Sequence, residues 1–476
     1  MRKIQKLNIL FGLFASLVVA AANEAWAGGT HTLTLRKSGS GHVNSAPSGI
    51  ACGTGCKYSF ADGTTVTLWA TPASGSSFAG WGGACTGTGD CVLTLIAAKT
   101  ISATFTKTNP PPPPGDLPGL KRGINLSHWL THYGRQPVVD ADMAMIKNAG
   151  FDHVRIAFDP EYLGWNPDDK FNPGILPLID KLDAAIDLAI NNGLVAVLDF
   201  HPNDALKNRI ETESSVQSAF VQLWTTLASR YQGKAKASLV YELINEPQYW
   251  THGPAAWYEL RQTTLSAIRT QDSNHLILLS GGYGGGLRGI LENPAVADNA
   301  VAYTFHYYEP YLFTHNGAPW EPHLSQVEDM FTGLLYPASL NTMENLLLKP
   351  GANTTLVTSA LNEYKASNWG YRRILSDIDS VKTWAADHGN VKVFCNEFGV
   401  LRLTQDESSR SRYLGDVRTA VESAGMGWTV FDYADLFGIA KATGSTYLSG
   451  DGAIVPSNPA SPNRAFTRSH LDALLK

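Results

Sequence analysis

The chain has 476 residues, 42 acidic against 37 basic, a net charge of −5, and 44% hydrophobic residues. That length suits one large domain and a small one. The mild acidity gives no reason to expect nucleic acid or an anionic membrane as a partner.

Residues 1–27 read as a secretory signal. Arg2, Lys3 and Lys6 precede the apolar stretch Ile9–Ala22, and Ala25-Trp26-Ala27 offers an A-x-A cleavage site. The rival, a membrane anchor, needs roughly 20 apolar residues, and this run is shorter. Cleavage removes three basic residues and Glu24, so −5 becomes −7. The expected product is soluble, monomeric and exported, periplasmic or extracellular, with no membrane association after cleavage. Four of the five cysteines, Cys52, Cys56, Cys85 and Cys91, fall in one short segment, which suits an oxidising compartment. Four cysteines allow three pairings. The local one, Cys52–Cys56 and Cys85–Cys91, closes two tight loops and is the expected choice. Zinc fits poorly, because the spacings are not of the C-x2-C type and no histidine accompanies them. Cys395 is left over and is expected to point into packing.

Residues 28–107 read as a small all-β module. Leu33-Thr34-Leu35, Thr64–Ala70, Val92–Ile96 and Ile101–Phe105 alternate with period two between Gly, Ser and Pro clusters. About 80 residues make a marginal core that disulfides help to staple. The segment resembles the small repeat modules related to the B-repeats of internalin. The resemblance lies in Ser38-Gly39-Ser40-Gly41, Ala70-Thr71-Pro72, Phe78-Ala79-Gly80-Trp81, Ala103-Thr104-Phe105 and the four cysteines. It implies surface or matrix attachment and carries no ligand site. Trp69 and Trp81 are read as core aromatics of a small sandwich before they are read as sugar platforms. Residues 108–118, with five consecutive prolines at Pro110–Pro114, form a stiff polyproline spacer.

From Gly119 onward, strands alternate with helices. Strands are expected at Lys121–Asn125, Asp152–Phe158, Leu194–Phe200, Leu239–Ile244, His275–Ser280, Ala300–Phe305, Lys392–Phe394 and Trp428–Phe431. Helical periodicity marks Pro177–Ala189, Ser214–Tyr231, Ala255–Ile268 and a last helix near Asn463–Leu475. The expected fold is α/β, a (β/α)8 TIM barrel over residues 119–476. A doubly wound sheet wants signature glycines after its first strand, and Arg122–Leu130 offers only Gly123. Gly284–Gly289 spells G-x-G-x-x-G, but it follows strand five with no nucleotide-binding unit around it. No metal or nucleotide cofactor is expected.

In a barrel the C-terminal strand ends face one cleft. They supply Asn125 and His128 (strand one), Arg155 (two), Asp199 and His201 (three), Asn245 and Glu246 (four), His306 and Tyr308 (six), Glu397 (seven), and Trp428 and Phe431 (eight). Two carboxyl groups flanking an aromatic cleft suit glycosidic bond cleavage, one protonated and one ionised. Asp199 reads as a buried hydrogen-bonding partner, and His128 as either a packing histidine or a sugar contact. Residues 119–476 resemble glycoside hydrolase family 5 through Arg122-Gly123-Ile124-Asn125-Leu126, Val154-Arg155, Asp199-Phe200-His201, Asn245-Glu246-Pro247, His306-Tyr307-Tyr308, Asn396-Glu397-Phe398-Gly399 and Gly427-Trp428. The resemblance implies a retaining double displacement with Glu397 as nucleophile and Glu246 as acid/base. It further implies that Asn245 binds the sugar 2-hydroxyl, Arg155 and Tyr308 orient and ionise Glu397, and His201 and His306 position the sugar. Where many members carry a tryptophan on strand eight, Phe431 stands, which bears on substrate more than on mechanism.

Glu309–Arg372 is a long connection holding Tyr311, Phe313, His315, Trp320, Phe331, Tyr336, Trp369 and Tyr371. It either walls the cleft with sugar-stacking rings or packs its own small core; Trp320 is the expected substrate contact. The resulting expectation is a secreted endo-β-glycosidase acting on β-glucan, cellulose-like or mixed-linkage. The alternatives are a β-mannanase or transglycosylase of the same family, or a non-catalytic polysaccharide-binding surface protein.

Overall fold

The computed structural model describes residues 29–52, 56–72, 76–107, 120–131, 137–169, 175–251, 253–318, 327–402, 406–443, 446–448, 454–456 and 464–476. The expected signal, the proline-rich spacer and Trp320 lie outside the described residues. The chain forms two compact units, Met1–Asn109 and Pro110–Lys476.

The first unit is built of two four-stranded sheets. One orders Lys57–Ala61, Thr30–Ser38, Lys99–Lys107 and Ser76–Gly83; the other orders Ala51–Cys52, Gly41–Ala46, Thr64–Pro72 and Cys91–Leu95. Alternate residues Leu33, Leu35, Val66, Leu68, Ile101 and Phe105 bury together, as the period-two pattern requires. Cys52 bonds to Cys56 and Cys85 to Cys91. Four of the strands, Gly41–Ala46, Ala51–Cys52, Lys57–Ala61 and Ser76–Gly83, are rich in Gly, Ser and Ala and gave no alternation to read. Trp81 is a core residue whose indole Nε1 donates to Gly89 O at 2.6 Å. Trp69 departs from the expectation: it lies on the outer face of its sheet, 38% exposed.

In the second unit eight parallel strands close a barrel. They are β1 (Arg122–Leu130), β2 (His153–Phe158), β3 (Val195–Phe200), β4 (Leu239–Glu242), β5 (Leu276–Ser280), β6 (Val301–His306), β7 (Val393–Glu397) and β8 (Gly427–Val430). Strands β2, β4, β5, β6 and β8 are buried along their whole length. A strand covered by helices on one side and by the barrel core on the other must be apolar on both faces. The expected helices form at Ile175–Asn191, Ser214–Tyr231, Ala255–Gln271 and Arg468–Leu475.

The long connection after β6 splits into two roles. Phe313, Phe331 and Tyr336 are fully buried in the barrel unit's core, and Tyr336 donates to Asp416 at 2.7 Å. Tyr311, 43% exposed, stacks on His315 with ring centroids 3.8 Å apart at the cleft.

Close approach of β7 and β8 depends on Gly399. A Cβ built there would stand 2.0 Å from Phe431 O, inside any tolerated contact. Phe431 N meanwhile donates to Phe398 O at 2.8 Å, locking the two strand ends together. Gly399→Ala is therefore expected to cost about 1–3 kcal/mol by overpacking. A urea melt checks this; an unchanged midpoint with unchanged slope overturns it.

Candidate active site

The centre of the site is Arg155, delivered by β2 and fully buried. Its Nε and Nη2 donate to the two oxygens of Glu242 at 2.7 and 2.8 Å. Nη1 donates to Asn125 Oδ1 at 2.8 Å and to Glu397 Oε1; Nη2 also donates to Asn245 Oδ1 at 2.9 Å. The carboxylate of Asp199 lies 3.1 Å from Nη2. These anions, Asp199 foremost, hold the guanidinium well above its ordinary range against the opposing effect of burial.

Glu397 ends β7 and is nearly buried, with Tyr308 donating to its Oε2 at 2.9 Å. Burial, then the Glu397 charge, raises the Tyr308 phenol well above its usual value, so it stays a donor. His306, at the end of β6, sits between the two glutamates. Its Nδ1 is 2.9 Å from Glu246 Oε1 and 3.4 Å from Glu397 Oε2. A register irregularity between Phe305 and His306 places His306 opposite Glu397.

Glu246 stands four residues past the end of β4 at φ 48°, in the left-handed region. A non-glycine residue there carries roughly 1–2 kcal/mol of backbone strain. Pro247 follows, and Asn245 N is pinned to Phe200 O at 2.8 Å. Burial opposes the charge on Glu246. The hydrogen bond from His306 and the nearby Lys207 outweigh it, so its carboxyl is held below the usual range. His306 is the mirror case: burial works against its charge, but Glu397 and Glu246 raise it.

His201 is ordered by a chain of complementary bonds. Its Nδ1 donates to Asp199 Oδ2 at 2.8 Å, and Asn245 Nδ2 donates to His201 Nε2 at 3.2 Å. With Asn245 Oδ1 already accepting from Arg155, only the neutral Nδ1–H tautomer fits. Burial, then the Arg155 charge, lowers His201 to about 4, in agreement. Asp199 is pushed up to about 6 by burial, which outweighs Arg155.

These groups open on a cleft of about 570 Å³ lined by Asn245, Glu246, His201, His306, Tyr308, Glu397 and Phe431. Trp428 is not among them, and this corrects the expectation of a sugar contact. Its side chain is fully buried between Phe151 and Phe398, and its Nε1 donates to Glu422 at 3.1 Å. Side chains alternate across a strand, so a tryptophan directed at the helical layer cannot also face the cleft. His128 also departs from the cleft-lining set. It pairs with Asp435 and lines a separate small cavity with Ser127 and Asp432.

Among the described residues, two clusters bring three donor atoms within 4.8 Å of one another: Glu246, His306 and Glu397, and His128, Asp432 and Asp435. Both are already knitted by hydrogen bonds among protein groups, the first through Arg155 and Tyr308, the second through Ser127.

Four residues had no reading from sequence. Glu242 is fully buried and raised by burial despite Arg155, and Asn396 Nδ2 donates to its Oε1 at 2.7 Å. The signal was there, since a glutamate inside an apolar strand demands a buried partner. Lys207 and Trp250 gave no such signal. Trp250, 58% exposed, lies against Tyr283 at 5.6 Å on the cleft's edge beside the glycine-rich turn at Gly284.

The family model for cellulase (glycosyl hydrolase family 5) matches residues 119–436. The chain belongs to that family. A model of the divergent InlB B-repeat domain matches residues 31–109. Among curated relatives of this family 5 chain, Endoglucanase 3 of Fibrobacter succinogenes is 26% identical over 67% of the chain and 50% of the relative, so the chain spans half of that protein's length. Endoglucanase C of Acetivibrio thermocellus is 24% identical over 66% of the chain and 91% of the relative. Endoglucanase Cel5A of Thermotoga maritima shares the fold, with a TM-score of 0.57 and 21% identity over 75% of the chain and 97% of its own; it has also been solved with mannotriose.

Removing Arg155 leaves buried carboxylates without a counter-ion. Arg155→Met is expected to lose about 3–5 kcal/mol of folding stability. Adding Glu242→Gln should return part of that loss, because the amide needs no counter-ion. Denaturant melts of the single and double variants check the coupling. Strictly additive losses overturn it.

Proposed function

We propose that this family 5 chain is an exported endo-β-1,4-glucanase that cleaves cellulose-like or mixed-linkage β-glucan with retention of configuration. The observation that carries the reading is the pairing of Glu246 and Glu397 across one cleft, with an oxygen of each within 4.8 Å. Carboxyl groups this close suit direct attack by one carboxylate; an inverting pair stands about 6.5–9.5 Å apart to admit a water.

Glu397 attacks the anomeric carbon as the glycosidic C–O bond breaks. Glu246 delivers a proton, held in its pair with His306, to the leaving oxygen. Water then attacks the glycosyl-enzyme ester, Glu246 takes the water's proton, and Glu397 leaves as a carboxylate. Arg155 and Tyr308 hold Glu397 in place, and the Asn245 amide N–H not given to His201 binds the sugar's 2-hydroxyl. The relatives Endoglucanase 3 and Endoglucanase C, by their names glucanases, support glucan as the substrate. The Thermotoga enzyme solved with mannotriose makes mannan the second reading. Export is supported by the basic and apolar N-terminal segment and by the two disulfides. Among the described residues no helix is long and apolar enough to cross a membrane.

Reducing-end release from mixed-linkage β-glucan, carboxymethyl cellulose, glucomannan, laminarin and xylan tests the reading, with Glu397→Ala beside the wild type. Release from the two β-1,4-containing glucans by the wild type alone is expected, with the β-anomer as first product by NMR. Wild-type hydrolysis by folded Glu397→Ala, or silence from the folded wild type on the whole panel, overturns it.

A further inference from the structure

We propose that Lys207 is a positioning residue that keeps the proton on Glu246 loosely held, so that the same carboxyl group serves as base in the second half of the reaction. The proposal rests on the acid/base reading of Glu246. Lys207 lies on the helix Asp204–Thr212, which begins just past β3 with Asn203 Oδ1 capping Leu206 N at 3.0 Å. Leu206, Lys207 and Ile210 form its buried side, and Lys207 is only 6% exposed. A lysine withdrawn from water this far requires a counter-charge. Among the described residues its ammonium meets two: Glu246 Oε2 at 3.7 Å and Asp204 Oδ1 at 3.8 Å. Asp204 is 93% exposed in its side chain and is screened by solvent. Glu246 is the partner inside the cleft.

Other groups face Glu246 from the surrounding elements. His306 favours its charged form, as Lys207 does, while His201 faces it as a neutral imidazole. Asp199 is coupled to it through its own charge, and Glu397 and Tyr308 complete the ring across the cleft. His306 bonds Oε1, whereas Lys207 approaches Oε2, so the two cations act on different oxygens. Oε1 is thereby committed to His306, and Oε2 is the oxygen left to exchange a proton with substrate or water. Lys207 acts on that oxygen directly. Its charge disfavours O–H at Oε2 and favours the ionised form that the base step needs.

The sign follows. The first step needs the proton shared by Glu246 and His306, so kcat/KM falls as pH rises through the titration of that pair. Removing the Lys207 charge stabilises the protonated form and moves that alkaline limb upward.

The test is the pH profile of kcat/KM on soluble mixed-linkage β-glucan for wild type, Lys207→Met, Lys207→Gln, Lys207→Arg and Glu246→Gln, each checked for cooperative unfolding. Lys207→Met and Lys207→Gln should move the alkaline limb up by on the order of one pH unit. The acidic limb should stay in place, and Lys207→Arg should keep the wild-type profile. A purely structural role would lower activity at all pH values without moving one limb. An unmoved alkaline limb in both neutral variants, while Glu246→Gln abolishes that limb, overturns the role of Lys207 and leaves Glu246 as the acid. An alkaline limb that persists in Glu246→Gln removes both assignments.

Discussion

One fully buried guanidinium holds the second unit's chemistry in place. Arg155 has five N–H groups, and five acceptor bonds meet them: two to Glu242 and one each to Asn125, Asn245 and Glu397. These partners come from β1, β4, the turn after β4 and β7, so one side chain sets the relative positions of four strand ends. A lysine offers three donors from a single point and would match neither the fork of Glu242 nor the spread of the others. The interaction also explains why Glu242 is tolerated inside the barrel. Three carboxylates around one cation would leave surplus negative charge with no water to solvate it. Burial relieves that surplus by raising Glu242 and by pushing Asp199 up to about 6.

Outward from this centre, hydrogen bonds pass orientation along a chain. Arg155 fixes the oxygen of Asn245, which fixes its amide towards His201, which fixes the imidazole's proton towards Asp199. Each link removes one alternative from the next. A second chain runs from Arg155 through Glu397 to Tyr308, whose ring stands edge-on to His306, Phe431 and Phe437. The position of Phe431 is therefore set by an aromatic cluster and by the tight β7–β8 contact at Gly399, independent of any sugar.

Much of this was legible in the sequence because strand ends in a barrel converge by topology alone. Asn245-Glu246-Pro247 and Asn396-Glu397-Phe398-Gly399 mark two apolar runs that stop in carboxylates, and eight apolar runs with intervening helices leave few arrangements. What resisted reading depended on rotation and side-chain reach. Trp428 and Phe431 both looked like cleft residues, but strand periodicity directs the tryptophan into the helical layer. Phe313, Phe331 and Tyr336 were indistinguishable from Tyr311 by composition, yet only Tyr311 of these four reaches the cleft. Lys207 carried no signal in the sequence; it is buried because it shares the inward side of its helix with Leu206 and Ile210. In the first unit, strands of Gly and Ser had no alternation to show, and their pairing is imposed by neighbours.

The two glutamates also differ in how much of their surroundings a substrate changes. The Glu397 side chain is 5% exposed, and its contacts to Arg155 and Tyr308 are internal, so an arriving sugar removes almost no water from it. The Glu246 side chain is 32% exposed. At rest, water and the neighbouring cations favour its charge, which keeps the shared proton on His306. A sugar chain entering the cleft displaces that water, and desolvation disfavours the ionised pair relative to the neutral one. In the proposed mechanism the proton of the pair then belongs to Glu246, carried on Oε2, the oxygen that His306 does not bond. On that proposal, a carboxyl group that is held ionised in the free site is protonated when a leaving oxygen is present to receive its proton.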